Sequence, residues 1–180
     1  SKPIVKKVDF DFTKTGYALV ITDTGGNHAD LNDEYASLPA DMKGVATKLG
    51  KQVLRQVSLS QVLDAIPSLR KDGTTDRAIL RAIHFERDNE RVAQQVADLE
   101  KGDFNSFLDK VVASGRSSFM YNQNVYPASA PQEQGLSLAL ALSDIVLGSE
   151  GAYRVHGGGF AGTIQAFVPA SLVDKYVSTL

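Results

Sequence analysis

The spacing of apolar positions changes period several times along the chain, and each change predicts an element. Over 5–21, Val8, Phe10 and Phe12 alternate with polar neighbours, Lys14, Thr15 and Gly16 read as a turn, and Tyr17 to Ile21 resumes as a second strand. That pattern predicts a hairpin. The second strand meets Gly25 and Gly26, where positive φ is available without steric cost. Asn27 and Asp30 then stand at capping-box spacing, so a helix is expected from His28. Over 28–50, Leu31, Tyr35, Leu38, Met42, Val45 and Leu49 keep helical spacing, with Pro39 expected to divide the run and Gly50 to stop it.

A short helix is predicted over 60–66, ending before Pro67, and the longest over 75–100, with Ile79, Ile83, Val92, Val96 and Leu99 along one side. Its middle carries His84, Glu86, Arg87 and Arg91, which read as a solvated face of i,i+3 and i,i+4 ion pairs. Gly102 ends it and Asp103 caps the next helix, whose apolar face is Phe104, Phe107, Leu108, Val111 and Val112. After a polar and aromatic loop over 119–130, Leu136, Leu138, Leu140 and Leu142 alternate like a strand. Ala139, Ala141, Ile145 and Val146 fill the gaps, however, and the run is long for a strand, so 131–147 reads as a buried helix begun by Pro131. Strands over 152–155 and 163–168 and a helix over 170–180 complete an α+β domain, a small antiparallel sheet packed against several helices. No repeat or linker divides residues 1–180.

Composition narrows the functions open to such a domain. The 180 residues (19.4 kDa) can bury roughly 70% of their unfolded surface in one core. Nineteen basic against 21 acidic side chains leave a net charge of -2, which disfavours a nucleic-acid partner, since such partners demand concentrated positive charge. With no cysteine there is no disulfide framework, thiolate nucleophile or Cys-based metal site, and a reducing, cytoplasmic setting is expected. No stretch approaches the ~20 apolar residues of a membrane span. The first residue is Ser1 rather than Met, which suggests a chain cut from something longer.

The sharpest local feature is His156-Gly157-Gly158-Gly159-Phe160-Ala161-Gly162, four glycines in six positions between two strands. Gly157, Gly159 and Gly162 satisfy G-x-G-x-x-G, but a dinucleotide site needs a helix after the loop, whereas Ile164, Ala166 and Val168 alternate as a strand. What remains is a hairpin loop of bare backbone, able to approach a ligand or another loop closely and to offer N–H groups to an anion. A tight turn would normally need only two glycines. Gly44 to Lys51 fails the phosphate-loop spacing and reads as helix. His28, Asp30, Asp33 and Glu34 could be taken for a metal cluster, but acids in a first helical turn are favoured by the dipole anyway, so no metal site is assigned. Tyr35, beyond the Gly25-Gly26 bend, could reach a pocket mouth; from its type alone a core tyrosine fits better.

Two segments go beyond generic pattern. Val20-Ile21-Thr22-Asp23-Thr24-Gly25-Gly26-Asn27-His28-Ala29-Asp30-Leu31, continuing to Asp33-Glu34-Tyr35, resembles the segment opening the C-terminal half of galactokinases. The stretch from Gly151 to Thr163 is similar to the third signature motif of the wider GHMP kinase family, and the resemblance spans nearly the whole chain. It implies the C-terminal domain of such a kinase, a fold related to the ferredoxin-like one, cut at both ends from an enzyme that phosphorylates the anomeric hydroxyl of galactose or a related sugar with ATP and Mg²⁺. Gly157, Gly158, Gly159 and Gly162 would shape the phosphate side of the cleft, and Tyr35 would contact a sugar hydroxyl.

The family's sugar signature, nucleotide loop, Mg²⁺-binding side chain and catalytic Asp would all precede Ser1. No catalytic residue is therefore expected in this chain, no tight binding of ATP or Mg²⁺ to it alone, and no turnover by it. Its expected partners are the absent N-terminal domain of the same protein, a sugar and ATP, with no nucleic acid and no membrane. A non-catalytic sugar-binding or regulatory module on the same fold, or a GHMP kinase for another small molecule, are the alternatives. The surface facing the missing domain, around Tyr35, Phe160 and 121–126, is expected to be exposed, partly apolar and prone to self-association.

Overall fold

The computed structural model describes residues 4–26 and 31–180. It is an α+β fold with a three-stranded antiparallel sheet: β1 (Tyr17–Asp23), β2 (Ala152–Val155) and β3 (Thr163–Pro169), in the order β1-β3-β2. The register runs from Tyr17 opposite Pro169 to Asp23 opposite Thr163, and from Ala152 opposite Phe167 to Val155 opposite Ile164. Among the described residues the helices are α1 (Asn32–Lys48), α2 (Leu59–Lys71), α3 (Asp76–Lys101), α4 (Phe104–Ser117), α5 (Gly135–Leu147) and α6 (Val173–Thr179). Because side chains alternate across a strand, β3 serves both faces. Ile164, Ala166 and Val168 pack with Leu136, Ala139, Leu147 and Tyr176 of α5 and α6, while Phe167 packs with Leu108 and Val111 of α4. A separate core, Val45, Ala46, Val62, Leu69, Ala78, Ile79 and Ala82, joins α1, α2 and α3.

Local chemistry explains most boundaries. Ser58 and Gln61 form a reciprocal capping box at α2, Thr75 accepts from the Ala78 N–H at the start of α3, and Asp103 accepts from the Ser106 N–H at the start of α4. Gly102 closes α3 at φ 74°. The predicted helix start at His28 and the Asn27/Asp30 cap lie outside the described residues.

The expected hairpin over 5–21 is corrected by the structure. Only Tyr17–Asp23 is a strand, and its partner is β3. The alternating phenylalanines before it are anchors for a ring cluster instead: Phe10 stacks on Phe104 at 5.8 Å, and Phe12 meets Phe107 and Phe167 at 6.0 and 6.3 Å. Neither Pro39 nor Pro67 breaks its helix. A proline inside a helix costs about 3 kcal/mol, but each is exposed, with buried side chains nearby: Val45 and Ala46 after Pro39, and Val62 and Leu69 on either side of Pro67. Burial of these residues offsets the lost backbone bond. α5 begins at Gly135, later than Pro131, and the segment after α4 opens with a π-helical turn, Ser118–Asn122, before it becomes a loop.

The largest correction concerns the middle of α3, which is not a solvated face. Arg81, His84, Glu86 and Arg91 are all buried. His84 Nδ1 is bonded to Ser117 Oγ at 2.9 Å, Asp88 pairs with Arg91 and accepts from Ser114 Oγ at 2.7 Å, and Arg154 Nη1 donates to Ser114 Oγ at 2.7 Å. Partners from α4 and β2 turn an apparently solvated run into a buried polar network.

Candidate functional site

The β2–β3 connection is where bare backbone, two cavities and several buried polar groups converge. His156 N–H donates to Thr163 O at 3.0 Å, which ends the ladder, and the chain then passes Gly157, Gly159 and Gly162 at φ 77°, 81° and 90°. The glycines answer two different demands. At Gly157 only the dihedral matters, since a Cβ there would have nothing within 4 Å. At Gly158 a Cβ would stand 2.8 Å from the Tyr35 ring, and at Gly159 it would fall on the carbonyl oxygen of Asn124. The close approach expected from four glycines is thus an approach to another loop and to a side chain of α1. Gly157 and Gly158 keep a face open to solvent.

Tyr35 rises from the first turn of α1, half-buried. Its hydroxyl donates to Gly159 O at 2.7 Å, and its ring meets Phe160 edge-on at 5.5 Å. Burial pushes its phenol pKa up, so the proton that bonds Gly159 is retained at neutral pH. Asn124 holds the loop from the other side. Its Nδ2 donates to Gly158 O at 3.0 Å and its backbone carbonyl accepts from the Phe160 N–H at 2.6 Å, while its buried Oδ1 has no partner among the described residues. Phe160 takes φ 62°, unusual for a bulky residue, and is buried at 3% exposure. The expectation that Phe160 lies exposed is therefore wrong: its ring plugs the space beneath the loop. Val125, Asn122 and Asn124 are buried too, and the exposed apolar groups nearby are Phe119 and Met120. The Gly25-Gly26 bend reaches the same place. Thr24 N–H and Oγ1 both donate to Gly162 O, at 2.9 and 2.7 Å, and a Cβ on Gly26 would stand 2.9 Å from that of Ala161.

Phe160 lines a cavity on either side. One, of about 770 Å³, is walled by Glu34, Ser37, Arg81, Tyr126 and Ser129. The other, of about 300 Å³, is walled by Thr24, Gly25, Gly26, Glu133 and Ala161. Arg81, 2% exposed, ties the larger one together by donating to Ser37 Oγ at 2.8 Å, Asp41 Oδ2 at 2.7 Å and the Asn122 carbonyl at 3.1 Å. Glu34 accepts from Ser129, a bond that holds its carboxyl below the usual range, so the rim there is anionic. Asp33 and Glu34 occupy the first turn of α1, where the dipole favours them. Among the described residues no three His, Asp or Glu side chains converge to hold a metal ion.

Of the residues singled out from sequence, Tyr35, Gly158 and Gly159 are brought into direct contact, and Gly157 and Gly162 lie on the same loop. Sequence reasoning misses Asn124 and Arg81. Each is an ordinary polar residue whose role comes from partners 34 to 44 positions away, and nothing local marks it.

No family model matches this sequence. Human galactokinase is 33% identical over 155 residues, which cover 86% of this chain and 36% of that protein. The galactokinase of Streptomyces coelicolor is 31% identical over 169 residues, 94% of this chain and 41% of the relative. The chain thus spans about two fifths of the length of these relatives. A crystal structure of Lactococcus lactis galactokinase complexed with galactose superposes with a TM-score of 0.73 at 20% identity, covering 96% of this chain and 41% of that one.

Proposed function

We propose that this chain, which is galactokinase-like in sequence and in fold, is the C-terminal domain of an ATP-dependent sugar 1-kinase and supplies one wall of its active-site cleft. The observation that carries the reading is the β2–β3 loop: backbone stripped of Cβ atoms, open at Gly157 and Gly158, and fixed by Tyr35 and Asn124 against two cavities. Phosphoryl transfer asks little covalent chemistry of a protein. It asks for positioned reactants and for stabilisation of charge on the transferring group. A glycine loop suits the second need, since its amides can lie against an anion where side chains would intrude. Tyr35 suits the first, its phenol oxygen being held at the cleft by the bond to Gly159, from which a sugar hydroxyl could be met.

The acid that takes the hydroxyl proton, the loop that cradles the triphosphate and the ligands of Mg²⁺ are assigned to a preceding domain. MgATP, when bound, supplies the phosphoryl group and the charge neutralisation. This chain contributes the wall, the sugar contact and the exclusion of water by Phe160. A cytoplasmic location accords with the absence of cysteine, and among the described residues no helix is long and apolar enough to cross a membrane. Exposed Phe119 and Met120 near the cleft would favour self-association when the domain stands alone, which sedimentation over a concentration series would detect.

The direct test compares galactose-dependent ADP release by this 180-residue chain with that of the full-length gene product. The chain alone should show none above background and the full-length protein should turn over. Turnover by the chain alone would overturn the division of labour between domains. A full-length protein that binds galactose in calorimetry yet never phosphorylates it would replace the kinase with a sugar-binding module.

A further inference from the structure

A cavity of about 640 Å³ lies between α3, α4 and the segment after α5, and the glycine loop contributes nothing to its lining. Arg87 and Arg91 of α3, Arg116 and Ser117 from the last turn of α4, and Tyr121 from the π-helical turn wall it, with Asp109 and Asp144 on the same surface. Three guanidinium groups on one cavity are a local concentration of positive charge in a chain whose net charge is -2. Arg91 is paired with Asp88. Arg87 and Arg116 have no carboxylate within ion-pairing distance among the described residues.

The cavity rests on a constructed floor. Ser117 and Arg91 are 4% and 8% exposed. Ser117 is bonded to His84, and Arg91 is anchored through Asp88 to Ser114 and Arg154. Arg87 is held from the side: its Nη1 donates to the Tyr121 hydroxyl at 3.1 Å, and its guanidinium lies 5.6 Å from the centre of that ring. A guanidinium held in place before a ligand arrives loses less rotamer freedom on binding one. The volume is that of a small-molecule site.

The two signs of charge narrow the ligand. Paired forks of Arg suit a phosphate, whose several oxygens accept bidentately. Carboxylates repel phosphate but accept well from hydroxyl groups, and each has about four lone-pair positions, so Asp144 can accept again while bonded to Tyr153. A simple anion would have no use for Asp109 and Asp144. We propose that this cavity is a binding site for a phosphorylated polyol such as a hexose monophosphate, with Arg87 and Arg116 taking the phosphate and Asp109 and Asp144 accepting from its hydroxyls. The proposal is independent of the kinase reading, because it shares neither the loop nor Tyr35.

Calorimetric titration of this chain at low ionic strength with galactose 1-phosphate, inorganic phosphate and galactose tests it. The ester should saturate one site, with inorganic phosphate at least about tenfold weaker for want of the hydroxyl contacts. Arg116→Ala alone, at an exposed and unpaired position, should weaken the ester about tenfold and leave the fold intact by circular dichroism, and R87A/R116A should weaken it further. Tyr35→Phe should leave ester binding unchanged. No binding of the ester, equal affinity for inorganic phosphate, or loss of binding in Tyr35→Phe with R87A/R116A unaffected would overturn the assignment.

Discussion

The β2–β3 loop and the middle of α3 are each held in place by contacts between distant parts of the chain, but through opposite means. In the loop the constraint is steric: backbone meets the Tyr35 ring and the Asn124 carbonyl with no room for a methyl group. In α3 the constraint is electrostatic: buried His84 and Arg91 and half-buried Asp88 and Arg154 compensate one another. The first should respond to added atoms and ignore pH; the second should tolerate a change of shape better than a change of charge.

The largest effect expected is on the charge side. Asp88→Ala leaves Arg91 without its acceptor and Arg154, which reaches Asp88 only through Ser114, without a nearby counter-charge, and should cost about 3–5 kcal/mol, read as a fall in the urea midpoint. A loss under about 1 kcal/mol would mean that water already serves these groups. On the steric side, Gly159→Ala adds both a strained φ and an overlap, and should cost about 2–4 kcal/mol. Gly157→Ala has nearly the same φ but open space around it, and should cost only about 1 kcal/mol. Equal losses at the two glycines would show that dihedral, not packing, governs the loop.

Acid titration separates the regions again. Burial, the largest influence, lowers the His84 pKa from 6.5 to about 4, against an opposing pull from Asp88. Between these values the unfolded chain binds the proton and the folded one does not, so stability present above pH 6.5 should fall as pH drops toward 4, by about 2–3 kcal/mol. His84→Gln should flatten that slope, whereas Gly159→Ala should leave it unchanged. The smallest effect is Tyr35→Phe, which removes the bond to Gly159 and should cost about 1 kcal/mol. Hydrogen exchange should show the change at the amides of 157–162 first.

The same contrast explains what can be read from the sequence. The glycine loop, the two strands around it, the long helix begun near Thr75, the helix capped by Asp103, and the α+β class are legible because each depends on dihedrals and periodicity written into neighbouring residues. The buried middle of α3 is not, since a run of Arg, Asp, Glu and His looks identical whether water or Ser114, Ser117 and Arg154 receives it. The alternation of Val8, Phe10 and Phe12 misleads in the same manner: Phe10 and Phe12 keep strand spacing yet serve a ring cluster completed by Phe104 and Phe167. Tyr35 is marked by resemblance and Asn124 by nothing, because an asparagine acquires its grip on Gly158 only when the fold closes.

Galactose-dependent ADP formation by the full-length gene product, wild type against Gly159→Ala, measured where both are folded, bears most directly on the claim that this loop is a wall of the reaction cleft. Turnover by the wild type and a drop of about 100-fold in the variant is the predicted result, since a displacement of about 1 Å in a positioning element costs that much. A wild-type protein without activity, or a folded variant as active as the wild type, would contradict it.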